Sequence, residues 1–143
     1  MPPDDERSNE RLARETLLSR VPIPEAQIHP LRSTEAELPD RFDLVLLGIG
    51  PDGHTASLFP GRPELAEAGP IVYVPEAGFE PYVPRFSFAL PYLNAAPLVA
   101  FLVGGESKRE ILSRVLAGDQ ALPAARVRAA RTVLLADEAA AAA

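Results

Sequence analysis

Two stretches of this chain are apolar at every position, Leu44 to Leu47 and Leu98 to Val103. Runs of that kind are strands covered on both faces of a parallel sheet, and the first sits inside a strand predicted over Asp43 to Gly48. Ile71 to Val74 reads as a further short strand, and Thr132 to Ala136 as a final one. Arg85-Phe-Ser-Phe-Ala-Leu90 alternates strictly, which predicts a strand with Phe86, Phe88 and Leu90 on the core side.

Helical spacing fills the intervals. Ser8 can cap a helix through about Arg20 that carries Leu12, Ala13, Thr16, Leu17 and Val21 on one face, and Val21-Pro-Ile-Pro24 ends it. Residues 25 to 40 are a polar, proline-punctuated connection. Thr55 to Phe59 leaves room for little more than a helical turn before Pro60. Pro91 to Ala96 allows a short helix begun by proline. Gly104-Gly-Glu-Ser-Lys108 opens a helix running to about Ala117 and closed by Gly118, and the alanine tail after Asp137 is a last helix. Strands alternating with helices predict an α/β fold with a mostly parallel sheet, in one domain spanning residues 1–143. The opening helix has an apolar face but no strand before it to pack on.

Composition narrows the function classes. The chain is 47% apolar and 24% charged with a net charge of −6, which argues against a nucleic-acid surface. No apolar run approaches the ~18 residues of a membrane helix, and MPPDDERSNERL has no signal-peptide core, so a cytoplasmic location is expected. The absence of cysteine excludes disulfides and thiolate metal sites. Of fourteen basic residues only one, Lys108, is lysine. Where drift so favours arginine, a retained lysine marks a place for a compact ammonium, and the competing reading is chance.

The candidate chemistry lies in GIGPDGHTASLFPG. Only two histidines are present, and His54 stands in a glycine-rich turn after an apolar strand, where open α/β sheets keep their sites. Histidine changes charge near neutrality, which suits a general base. Taken alone, such a turn is more often an ordinary strand-to-helix connection. His29, in QIHPL, reads as a surface or packing residue. No His, Asp and Glu cluster has metal-ligand spacing.

That segment resembles the signature of the 6-phosphogluconolactonases, within the glucosamine-6-phosphate isomerase/lactonase family. PPDDERSNERLARETLLSRVPIP, VPRFSFALPYLNAA, FLVGGESKREILSRVL, ALPAARV and TVLLAD resemble further family segments, so the likeness covers residues 2 to 137. It implies a Rossmann-like open sheet with helices on both faces. It also implies hydrolysis of 6-phospho-D-glucono-1,5-lactone in the oxidative pentose phosphate pathway, with neither metal nor cofactor. The resemblance puts the base at His54, with Asp52 orienting its ring or holding sugar hydroxyls. Gly48, Gly50 and Gly53 would let backbone N–H groups approach the substrate and its developing oxyanion. Arg85 and Lys108 match the family's phosphate ligands, Lys108 at a helix opening that itself favours an anion. The isomerase/deaminase branch carries a glutamate where this chain has Ser57-Leu58-Phe59-Pro60.

One departure matters. The family domain carries a Gly-Gly-Ser/Thr phosphate loop and a strand ending in Asp-Glu-Arg, and neither precedes Met1. Asp5-Glu6-Arg7 abuts Ser8-Asn9, whereas several residues separate the two motifs in the family. The expectation is therefore an N-terminally truncated version of the domain. Its alternative function is a weak or inactive sugar-phosphate-binding fragment needing a partner segment. An uncovered sheet edge would favour self-association.

Overall fold

The computed structural model describes residues 5–78 and 80–141. Its main sheet has three parallel strands in the order β1-β4-β5, formed by β1 (Leu44–Leu47), β4 (Leu98–Val103) and β5 (Arg131–Ala136). Leu47 pairs with Phe101 and Phe101 with Leu134, and the β4–β5 ladder continues to Val103 and Ala136. The alternation of side chains then decides which residues are covered. Val45, Leu47, Val99, Phe101 and Val103 are all buried and point to the core.

That core is closed by α2 (Leu90–Asn94) with Leu93, by α3 (Arg109–Leu116) with Ile111 and Leu112, and by residues 122–127. Each fully buried leucine contributes roughly 1.5–3 kcal/mol relative to exposure. On the sheet's other face Leu44, Leu46, Leu102 and Leu135 are 48–59% exposed. A four-residue helix, α4 (Glu138–Ala141), follows β5 and buries Ala140. No helix among the described residues is long and apolar enough to cross a membrane.

The remaining two strands, β2 (Ile71–Val74) and β3 (Arg85–Phe88), pair antiparallel in a separate hairpin. Here the expected burial is corrected. Phe86 and Phe88 are half-buried, and Ser87 between them is 3% exposed. A two-stranded ribbon presents both faces to neighbours. Phe86 meets Tyr73 across the ribbon at 5.3 Å, and Phe88 meets Phe42 at 5.2 Å. Ser87 can be buried because its hydroxyl accepts the Ser57 N–H at 3.0 Å and donates to the Phe88 carbonyl at 3.1 Å.

The first helix is also shorter than its periodicity predicts. Ser8 caps α1 (Asn9–Thr16) by accepting the Arg11 N–H at 3.3 Å, and a single tight turn, Leu18–Arg20, follows. None of its residues is buried, and Leu12 and Leu17 are more than half exposed. Among the described residues nothing buries this apolar stripe, so packing does not propagate the helix further.

Candidate active site

At the C-terminal end of β1 the chain turns back on itself through Gly48 to His54. The Gly53 N–H donates to the Gly50 carbonyl at 3.0 Å, and the Gly50 N–H donates to the His54 carbonyl at 2.8 Å. These bonds correct one expectation. The Gly50 and Gly53 N–H groups are consumed within the turn, so these glycines supply space and backbone freedom instead of donors. A methyl group on Gly50 would overlap the His54 ring. Gly53 has φ +82°, and a Cβ there would lie 2.8 Å from Leu122. Gly48 has open space where a Cβ would stand.

The turn fixes His54 through Asp52. Asp52 Oδ1 accepts the His54 backbone N–H at 3.1 Å and lies 2.6 Å from His54 Nδ1. That bond assigns the ring proton to Nδ1 and leaves Nε2 as the basic nitrogen of the neutral imidazole. The ring packs against Phe59, with centroids 4.7 Å apart, and its side chain is 19% exposed. Thr55, almost fully buried, donates from Oγ1 to the Gly48 carbonyl at 2.9 Å and forms an antiparallel bridge with Leu58. Residues 55–58 therefore form a tight bridge in place of the helical turn their length allows.

Lys108 arrives from the neighbouring strand. β4 lies beside β1, and the turn after it, with Gly105 at φ +92°, carries Lys108 to the start of α3. From there Nζ donates to the Ile49 carbonyl at 2.8 Å, so its ammonium is held on the same turn as His54. Residues 122–126 close the other side, where the Ala124 N–H donates to the Gly53 carbonyl at 3.1 Å.

Arg85 enters from the hairpin. It shares a face of β3 with Ser87, whose hydroxyl reaches Ser57 just after the histidine turn. Burial pushes the Arg85 guanidinium below its ordinary value, and Nη2 donates weakly to the Pro81 carbonyl at 3.4 Å. It lines a cavity of about 580 Å³ between the hairpin, α1 and residues 28–32, with Asn9 and His29 on the far wall. His54, Asp52, the three glycines and Lys108 thus form one cluster, whereas Arg85 lines a separate cavity whose walls include none of them. Arg7 folds back onto Asp5 at 2.7 Å, which holds that carboxyl at about 2.

Sequence reasoning missed Thr55, Ser87 and the Ile49 carbonyl. Ser87 carried a usable signal, since it is the one small polar residue between two phenylalanines. A carbonyl acceptor leaves no trace in side-chain patterns. Ala56, at φ +51°, sits where glycine is favoured and also gave no warning.

Comparison with known proteins places the chain among relatives. Residues 1–135 match the family described as glucosamine-6-phosphate isomerases/6-phosphogluconolactonase. The chain is 40% identical over 147 residues to a 6-phosphogluconolactonase of Rattus norvegicus, covering 90% of this chain and 57% of that protein. It is 39% identical over 132 residues to one of Synechocystis sp., covering 77% and 53%. The chain thus spans about half the length of the curated relatives it matches. Among solved structures, the 6-phosphogluconolactonase of Thermotoga maritima superposes with a TM-score of 0.82 at 33% identity, over 95% of this chain and 67% of that one. A crystal structure of a protein called devB superposes with a TM-score of 0.84 at 31% identity, over 99% and 69%.

Proposed function

Because the chain belongs to the glucosamine-6-phosphate isomerase/6-phosphogluconolactonase family, we propose that it takes part in hydrolysing 6-phospho-D-glucono-1,5-lactone to 6-phosphogluconate. One observation carries the reading. His54 Nδ1 is held by Asp52 at 2.6 Å in the same turn whose Ile49 carbonyl receives Lys108 Nζ at 2.8 Å. This supports a base in the histidine turn with a cation held against that turn from the Gly104–Lys108 turn.

In this reading His54 Nε2 takes a proton from water as the water oxygen attacks the lactone carbonyl carbon. The carbonyl electron pair moves to its oxygen, giving a tetrahedral oxyanion. Collapse re-forms the carbonyl and breaks the bond to the ring oxygen, which takes the proton back from Nε2–H. The new carboxylic acid then loses its proton to solvent. Asp52 stabilises the transient imidazolium through Nδ1–H, as a carboxylate paired with a histidine does. Gly48, with open space beside it, leaves the substrate a path to the turn. Lys108 and Arg85 bind the phosphate from two elements, local cations working against the chain's negative net charge. The reading assigns the reaction to the cytoplasm and to the oxidative pentose phosphate pathway, with no cofactor.

The same reading includes pairing of two copies. β1 is an edge among the described strands, and its exposed Leu44 and Leu46 continue across the sheet into exposed Leu102 and Leu135. Sedimentation equilibrium reads the oligomeric state directly.

The test of the chemistry is lactone loss, measured above spontaneous hydrolysis, in the chain and in His54→Ala. The substitution should lower the rate by ~10²–10⁴-fold with far-UV circular dichroism unchanged. Equal rates in a folded variant would remove His54 from the mechanism.

A further inference from the structure

Asp137 lies outside the site, yet its carboxylate is committed on two sides. It follows β5 and extends the ladder by one bond, its N–H donating to the Val103 carbonyl at 3.2 Å. Its carboxylate then bridges two separate elements. Oδ2 accepts the Gly105 N–H at 2.9 Å, and Oδ1 accepts the Ala140 N–H at 2.8 Å. Oδ2 also sits 3.2 Å from where a Cβ on Gly104 would be, so a side chain at Gly104 would crowd the carboxylate, whereas one at Gly105 would meet nothing within 4 Å.

Gly105 is the hinge of the Lys108 turn. Its φ of +92° is open to glycine and disfavoured for other residues, and its carbonyl accepts the Lys108 N–H at 3.0 Å. The path is therefore short and continuous. The Asp137 carboxylate fixes the Gly105 N–H, Gly105 fixes the Lys108 backbone, and the Lys108 ammonium reaches the Ile49 carbonyl of the histidine turn. A carboxylate accepting a backbone N–H is a charge-assisted bond, stronger than the neutral bonds of an ordinary turn.

We propose that Asp137 is a positioning residue for Lys108, clamping the Gly104–Lys108 turn to the C-terminal end of β5 so that the ammonium is held on the histidine turn. Asp137 itself does not touch the substrate. The proposal rests on the phosphate reading of Lys108 only for its effect on ligands. The positional claim stands apart from it.

The composition supplies a clean probe. Lys108 is the only lysine of the chain, so lysine labelled with ¹³C at Cε and ¹⁵N at Nζ gives one side-chain NMR signal to follow. Asp137→Ala should shift that signal toward the position of a free lysine and speed the exchange of its ammonium protons with water. Ala140→Gly is the control, because it weakens α4 without removing the Gly105 acceptor, and it should leave the signal in place. An unmoved signal in Asp137→Ala, or an equal shift in Ala140→Gly, would overturn the proposal.

Ligand binding separates the two readings. Calorimetry with 6-phosphogluconate should show Asp137→Ala binding ~10-fold more weakly, the scale of one charged hydrogen bond, with gluconate unaffected. Lys108→Met should cost at least as much, and adding Asp137→Ala to it should cost nothing more, since the aspartate acts through the lysine. Full additivity would overturn the proposal. If Lys108→Met leaves 6-phosphogluconate affinity intact, the phosphate role fails, and the NMR signal alone decides the positional claim.

Discussion

The two ends of this chain are held together by different forces. From β1 onward the residues share one contiguous buried core, in which Leu58, Leu93 and Val99 have no solvent exposure. Before β1, among the described residues, Phe42 alone joins the hydrophobics packed against that core. α1 and the following connection are tied instead by arginine–carboxylate pairs. Arg14 meets Glu10 at 3.0 Å and Glu25 at 2.7 Å, and Arg32 meets Glu10 at 2.7 Å. Apolar burial is not weakened by charge screening, whereas exposed ion pairs are worth about 0–1 kcal/mol each and weaken with ionic strength. The difference teaches where precision is needed. The His54 and Lys108 turns grow from the strands of the buried part, and the cavity beside Arg85 is walled partly by the loosely held part.

The sharpest way to break this comparison is to empty the core on one side and remove an equal leucine on the other. Leu93→Ala leaves a cavity where the side chain is fully buried, and should lower the unfolding free energy by about 2–5 kcal/mol. Leu12→Ala, on the exposed face of α1, should change it by less than about 0.5 kcal/mol. Urea unfolding of both variants measures the pair. Similar losses would mean that α1 is packed more firmly than its exposure indicates.

A second substitution asks whether the rigid part is rigid for the sake of the site. Gly50→Ala puts a methyl group into the His54 ring, so the ring must leave its bond with Asp52. If hydrolysis runs through His54, a displacement of this kind should cost about 10²-fold in rate, while the fold survives because the methyl meets a side chain at the surface of the core. Activity against lactone, with the melting temperature as control, decides it. Unchanged activity would mean that the ring finds an equivalent position.

How far the sequence was legible follows the same division. β1 and β4 were readable because their positions are apolar on both faces, although only one of those faces is buried among the described residues, and α3 because burial on one face imposes a helical period. The His54 turn was readable because glycines, a proline and an aspartate cluster at the end of such a run. Three features were not readable. The end of α1 at Thr16 depends on packing partners that its own period cannot reveal. Ser87 is buried because a distant N–H, that of Ser57, satisfies it. The role of Asp137 has no mark in the sequence, since its two partners lie at Gly105 and Ala140 and the first is remote in the chain. Period reports which face is apolar, and says nothing of which distant group will meet it.

The smallest effect concerns acid, and it sharpens the contrast between the two parts. Hydrogen bonds from Arg32, and then from Arg14, hold the Glu10 carboxyl below its ordinary value despite the opposing cost of burial. A carboxyl whose value is lower in the folded state binds protons more weakly there than when unfolded. Its stabilising contribution is therefore complete above the ordinary glutamate value, and is lost as pH falls through the lowered folded one. Both arginines are a third or more exposed, so solvent screening keeps the contribution under about 1 kcal/mol. Hydrogen-exchange protection of the α1 amides, corrected for intrinsic rates, should accordingly decline over that acid range, while the amides of β4 keep theirs. Glu10→Gln should remove the decline, and high salt at neutral pH should reproduce part of it. Parallel decline in α1 and β4 would show that the two parts open together, and that the ion pairs stabilise the whole domain as one cooperative unit.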